Sequence, residues 1–456
     1  MSFCTINPFN NKKIAEFKFD SNNTIDEKIK ISHEAFLGWT NLNVENRIEY
    51  VEKIIDGLDS KKLELANICT KEMGKPIKQS IAEIEKCILM AKYYCENSSN
   101  FLRPEMIKTK FSKSYIAYKG QGVILGIMPW NFPYWQVLRF AIPTMLAGNT
   151  VLIKHAPNVQ ASQKLLQEVF DNCDFPPSVF STVIADIDQI KNIAKNDYIR
   201  GISFTGSEKA GRSVGELAGK NLKKCVLELG GSDPYLVLSD ADINLAAKSC
   251  ADSRFINNGQ SCVAAKRWIV SKDIKEKFTE LVSENINNLK MGNPLAEDIQ
   301  IGPMARKDLK DELALQVENS LSLGAKVLVG GPSENNPNDC FYPPTLLDNV
   351  KEGQPAFDEE LFGPVATIIT ANNDEHAIEL ANKSRYGLGG AVFSRNIEKA
   401  EEIARDKIDT GGVYINDFYK SVPELPFGGV KASGIGRELS KNALFEFVNI
   451  KTIVIA

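Results

Sequence analysis

Histidine is nearly missing from this chain: His33, His155 and His376 are the only three in 456 residues. Chemistry that needs a histidine base or a histidine-rich metal site has few candidates, so any nucleophile must be activated in another way. Cysteine occurs nine times, an odd number, scattered singly without a CxxC pair. That pattern argues against a disulfide framework and a zinc cage, and for a reducing, cytoplasmic setting. No metal site is expected. Long apolar runs are lacking as well, and "VILGIMPW" is far too short to span a bilayer. The opening "MSFCTINPFNNKKIAEF" has no basic segment followed by an apolar core, so no signal peptide is expected. A formal net charge of −4 gives no electrostatic reason to expect nucleic acid or an anionic membrane as a partner.

What is present is a balanced globular composition, 43% hydrophobic and 25% charged. At this length one core is not enough, and two or more domains are expected. The first hundred residues read mostly helical, with apolar spacing of three and four in "IDEKIKISHEAFLGW" and "IEYVEKIIDGLDSKKLELANICTKEMG". "SKSYIAYKGQGVILGIMPW" alternates and breaks at Gly120 and Gly122, which reads as a hairpin. After it, short apolar strands such as "NTVLIKH", "SVFSTVIA" and "IRGISFTGS" alternate with amphipathic helices, and the second half repeats the pattern. This implies parallel sheets covered by helices, in two α/β domains that meet near "ELGGSDP".

Four stretches could carry chemistry. Gly206 and Ser207 in "ISFTGSEKAG" turn a strand into a helix, where backbone N–H groups and a hydroxyl suit a pyrophosphate. An ordinary turn with Ser207 as helix cap fits equally well. Gly120, Gly122 and Gly126 mimic a dinucleotide fingerprint but precede a strand, the wrong order for it. "PWNFP" stiffens a loop with two prolines and holds the Asn131 amide between aromatics; that suits an oxyanion hole or a capped structural loop. Glu228 ends the apolar strand of "LELGGSDP", so it is either desolvated and poised as a general base or paired across the domain boundary. Cys262 in "NNGQSCVAAKR" lies in a flexible-looking loop of small residues, either as an inert packing thiol or as an accessible nucleophile.

"PWNFP", "ISFTGS", "LELGG", "NNGQSC", "EELFGPV" and "PFGGVKASGIGRE" occur in this order along nearly the whole chain. Together they resemble the NAD(P)-dependent aldehyde dehydrogenases. "IKHAPN", "LELGGSDP" and "PELPFGGVK" make the chain most similar to the bacterial succinate-semialdehyde dehydrogenases. The resemblance implies an α/β fold of two Rossmann-like parallel-sheet domains with a β-hairpin oligomerisation arm. The expected divisions are a cofactor-binding domain over 1–108 and 123–229 and a catalytic domain over 230–418. An arm over 109–122 and 437–456 and a linking segment over 419–436 near the active site complete them.

The same resemblance implies roles residue by residue. Cys262 attacks an aldehyde, Asn131 holds the oxyanion, and Glu228 activates the water that hydrolyses the thioester. NAD or NADP is the implied cofactor. Lys154 is expected at the adenosine ribose and Gly206 and Ser207 at the pyrophosphate, with Trp130, Gly211 and Leu229 beside them. Glu360 and Phe362 are expected at the nicotinamide ribose. Many NAD-preferring relatives carry an acid where this chain has Pro157, so acceptance of both cofactors is expected. Arg139, assisted by Ser421, is expected to meet the substrate's remote carboxylate, the alternative being a helix-surface salt bridge; several relatives carry a second arginine where this chain has Ile256, and Arg254 stands nearby. A homodimer or homotetramer is expected, and the partner is a small-molecule aldehyde. The rivals are a CoA-acylating relative, which needs no hydrolytic glutamate, and a catalytically inactive protein of the same fold.

Overall fold

The computed structural model describes residues 2–332 and 339–456. Two parallel sheets dominate it. The first has the order Gly434–Ile435, Lys224–Glu228, Ile199–Thr205, Val123–Met128, Thr150–His155, Phe180–Val183. All neighbours are parallel except the short Gly434–Ile435 edge. Every residue of Val123–Met128 is buried, which is why that strand is a continuous apolar run rather than an alternating one. Its neighbours lie on opposite sides in chain order: the chain steps outward through Thr150–His155, then returns to add Ile199–Thr205 on the other flank. That reversal opens a crevice beyond the carboxyl ends of the strands. The turns after Met128, Thr205 and Glu228 all face it.

The second sheet has seven strands, in the order Lys326–Val329, Thr345–Asp348, Val365–Ala371, Arg267–Ser271, Pro234–Val237, Gly390–Phe393, Val413–Ile415. Only the first pair is antiparallel. Pro234 opens its strand, where a missing N–H costs least. The α/β class therefore matches the sequence expectation. The helices Asn22–Trp39, Val44–Ser60, Lys62–Met73 and Ile77–Phe101 make the first hundred residues mostly helical. A short antiparallel pair, Ser2–Ile6 with Lys13–Lys18, precedes them.

One local expectation is corrected. "YIAYKGQGVIL" is not a hairpin. Lys113–Gly120 pairs with Val448–Ile455 and Glu105–Met106 in a separate three-stranded sheet, while Val123–Met128 enters the buried parallel sheet. The two glycines mark a crossing between sheets: a side chain on Gly120 would run into the backbone of Gly148. The chain-terminal strand Val448–Ile455 is the edge of the small sheet, with Ile450, Val454 and Ile455 exposed.

Candidate active site

Asn131 stands on the turn between the central strand and the helix Trp135–Leu146. A buried carboxylate fixes that turn: Glu83 accepts from the N–H groups of Tyr134 (2.8 Å) and Trp135 (2.9 Å). Glu83 is itself paired with the fully buried Lys75, which sits 4.6 Å over the Phe132 ring. A negative charge at a helix start is favourable, and burial makes its hydrogen bonds strong. The Asn131 amide donates to the Gln260 carbonyl at 3.1 Å, and its second amide hydrogen remains for the site.

The segment before Cys262 is densely hydrogen-bonded. After the helix Ile243–Phe255 the chain turns through Asn257 and Asn258, both in the left-handed region at φ 57° and 56°. Asparagine tolerates this conformation, and here the side chains brace it. Asn257 donates to the Asn131 carbonyl (2.8 Å) and Asn258 to the Pro303 carbonyl (2.9 Å). Gly259 follows at φ 73°, where a side chain would strike Gly363. Lys266 completes the brace, donating to the carbonyls of Ser261 and Cys262, both at 2.8 Å. Small residues here serve close packing, and the loop presents Cys262 beside Asn131 on the wall of one cavity.

Burial pushes the Cys262 thiol up to about 12, with Lys266 and Arg139 opposing the rise. Glu228, 2% exposed, lies against Gly428 with neither carboxyl oxygen hydrogen-bonded. Burial raises its pKa well above the usual carboxylate range; Glu438 adds to the rise, and Arg139 and Arg437 oppose it. A raised pKa makes Glu228, once ionised, a stronger base than an ordinary carboxylate. Asp233 is a second buried carboxyl near Lys266, pushed up to about 7 mainly by burial. The sequence reading did not single it out.

The cavity holds about 570 Å³. Trp130, Asn131, Gly206, Ser207, Leu229, Glu360, Phe362 and Cys262 line it together, joining five motifs distant in sequence. Trp130 and Phe362 meet edge to face, with ring centroids 5.8 Å apart. Glu360 is held by Lys266 (3.1 Å) and the Gly231 N–H (3.1 Å). Ser207 caps the helix Glu208–Lys220, and the Gly206 N–H is spent on the Glu228 carbonyl at 3.0 Å. Gly211 lies behind the wall, where Leu229 fills the space of its missing side chain. Lys154 and Pro157 stand at the end of the neighbouring strand, outside this cavity's lining. Burial lowers the pKa of Lys154, which makes no ion pair among the described residues.

The family model for the aldehyde dehydrogenase family matches residues 1–453. The chain belongs to the aldehyde dehydrogenase family. It is 42% identical over 449 residues to a succinate semialdehyde dehydrogenase [NAD(P)+] of Escherichia coli, covering 98% of this chain and 97% of that one. It is 41% identical to a probable succinate-semialdehyde dehydrogenase [NADP(+)] of Synechocystis, across all of both chains. Among solved structures it is similar to the succinic semialdehyde dehydrogenase of Streptococcus pyogenes in complex with NADP+, with TM-score 0.96, 34% identity and 99% of each chain covered.

Within this family member the expected substrate side chains take different places. Arg139, 1% exposed, ion-pairs with Glu438 and lies 4.6 Å over the Phe427 ring, while its Nη2 is buried without a hydrogen-bond partner. Ser421 accepts a 2.7 Å hydrogen bond from Lys86. Arg254 is fully buried, and its guanidinium donates to the carbonyls of Val365, Gly259, Leu361 and Gly363, so it ties the loop before the nucleophile to the chain around Val365. A buried guanidinium satisfies its donors on whatever acceptors surround it, and here those are backbone. Sequence reasoning missed Lys86, Lys266 and Glu438. Lys86 did leave a signal, because it shares a helix stripe with the buried Glu83, Cys87 and Met90.

Proposed function

We propose that this enzyme oxidises succinic semialdehyde to succinate with NADP or NAD, through a covalent thioester on Cys262. The observation that carries the reading is the single cavity wall on which Cys262 and Asn131 adjoin the turn at Gly206 and Ser207, with Glu228 on the next strand end. The residues fit a dinucleotide. Thr205 offers a buried hydroxyl with no partner at the cavity, Trp130 and Phe362 offer flat apolar faces, and Lys154 is a cation without an anion among the described residues. The nicotinamide cofactor supplies the hydride acceptor.

The chain's own residues do the rest. Cys262 gives its proton to solvent, and the thiolate sulfur bonds to the aldehyde carbon as the C=O pair moves to oxygen, leaving a negative charge there. The free amide hydrogen of Asn131 stabilises that charge, which develops only after attack. Loss of hydride leaves a thioester. Glu228, ionised, takes a proton from water as that water attacks. Acid and thiol are then released. A CoA-acylating reading is disfavoured, because a buried, unpaired glutamate at this strand end serves hydrolysis.

The names of the similar proteins support succinic semialdehyde as substrate, and the partnerless Nη2 of Arg139 supports a substrate with a remote carboxylate. The exposed apolar edge Val448–Ile455 supports assembly into a homodimer or homotetramer. The test is a panel of aldehydes with each cofactor, following reduced cofactor by absorbance. Succinic semialdehyde should give the highest kcat/KM. Reduced cofactor from no aldehyde, or a clear preference for an uncharged one, would end the reading.

A further inference from the structure

Lys86 is a half-buried cation with no carboxylate beside it. Its Nζ donates to Ser421 Oγ at 2.7 Å and lies 4.1 Å from the Trp135 ring centroid. No ion pair to it occurs among the described residues. The nearest acid on its own helix, Glu83, is already committed to Lys75 and to the N–H groups of Tyr134 and Trp135. Besides Glu83, the ionisable groups that act on Lys86 are Arg139, Cys87 and Cys262. Burial, with Arg139 adding to it, lowers its pKa to about 8, so the ammonium persists at neutral pH but is held at a cost. A second cation, Arg139, leaves Nη2 unpartnered nearby. Cys262 belongs to the same packed cluster as Trp135, Tyr419 and Phe427.

A cation kept beside another cation, with only a hydroxyl and an aromatic face for company, is unfavourable unless something anionic arrives. Arg139 has Glu438 to balance it, so Lys86 is the charge near Cys262 that no carboxylate pairs with among the described residues. We propose that Lys86, oriented by Ser421, is a specificity residue that takes the remote carboxylate of an ω-carboxy aldehyde alongside Arg139. The inference rests on the reading that the substrate carries such a carboxylate. It also takes the place of Arg254, whose guanidinium is held by four backbone carbonyls, as the second cation of the site.

The test compares kcat/KM for succinic semialdehyde and for butanal in wild type, Lys86→Met, Lys86→Arg and Ser421→Ala. A hydrogen bond to a charged group is strong enough that its loss should lower the ratio of succinic semialdehyde to butanal at least tenfold in Lys86→Met, mainly through KM. Lys86→Arg, which keeps the charge, should recover most of the ratio, and Ser421→Ala should lower it several-fold. Methionine suits a half-buried helical site beside tryptophan, and a thermal melt checks that each variant is folded. Should Lys86→Met not fold, the Ser421→Ala and Lys86→Arg ratios decide. A wild type with no preference for succinic semialdehyde overturns the substrate reading and this inference together. A wild type with that preference and variants that keep it overturns the role of Lys86 alone.

Discussion

Arg139→Ala tests how far the electrostatics of the site depend on one buried guanidinium. Arg139 and its partner Glu438 are 1% and 3% exposed. Burial raises the Glu438 pKa and Arg139 opposes the rise; Arg139 also opposes the rise at Glu228. Removing it leaves two carboxyls buried near each other with one cation fewer. Breaking a buried ion pair from one side costs about 3–5 kcal/mol. The sign with pH follows from the raised pKa values. A carboxyl whose folded pKa lies above its unfolded value makes the folded state bind more protons, so stability falls as pH rises above about 4. The truncation raises both carboxyls further, so its penalty should be larger at pH 8 than at pH 5.5. Urea unfolding followed by tryptophan fluorescence at the two pH values measures this. Arg139→Met combined with Glu438→Gln should recover most of the loss, because it removes both charges. Kinetically, loss of the free Nη2 should raise KM for succinic semialdehyde more than for butanal, by about 1.5–3 kcal/mol. An Arg139→Ala protein as stable as wild type at pH 8 would refute the buried-pair argument. Equal losses on both aldehydes would refute the substrate contact.

Glu228→Gln should give a burst of about one reduced cofactor per site followed by turnover about 100-fold slower or worse, since only hydrolysis needs the base; stopped-flow absorbance resolves the two phases, and a normal steady rate would remove Glu228 from the mechanism. The same substitution removes a carboxyl that is costly to ionise where it is buried, so the variant's melting temperature relative to wild type should climb from pH 5 to pH 8; a flat difference would contradict the raised pKa. With Pro157 in place of an acid, neither NAD nor NADP should be favoured beyond about a hundredfold in kcat/KM, or about 2.7 kcal/mol, and steady-state kinetics with each cofactor checks it. Truncation before Asn449 removes most of the strand paired with Lys113–Gly120; it should change the assembly size by light scattering, and an unchanged size with unchanged stability would show that this edge plays no part in assembly.

How much of this was legible in the sequence depended on whether a residue's role is set locally. Strand–turn–helix alternation gave the parallel sheets, because a fully buried strand must be a continuous apolar run. Asn131, Glu228 and Cys262 each stand where a local pattern breaks: two prolines around an amide, an acid ending an apolar strand, a thiol among small residues. The hairpin reading failed because Lys113–Gly120 and Val123–Met128 choose partners far along the chain, and alternation carries no information about partners. The backbone bonds of Arg254 could not be read locally, because the carbonyls that hold it come mostly from residues 361–365, more than a hundred positions away. The bracing of the Cys262 loop was hidden for a related reason. Glycine, serine and alanine read as freedom, yet here they permit close approach, and the asparagine amides do the bracing.

The central claim is that Cys262 carries the acyl group of a substrate with a remote carboxylate. Peptide mapping by mass spectrometry, after acid quench of Glu228→Gln with succinic semialdehyde and NADP, tests it most directly. One succinyl group per chain is expected, on the peptide containing Cys262. None is expected when the cofactor is omitted, because no thioester can form without hydride loss. Acylation at Cys69, Cys87 or Cys225, or turnover with Cys262 never modified and a Cys262→Ala enzyme still active, would contradict it.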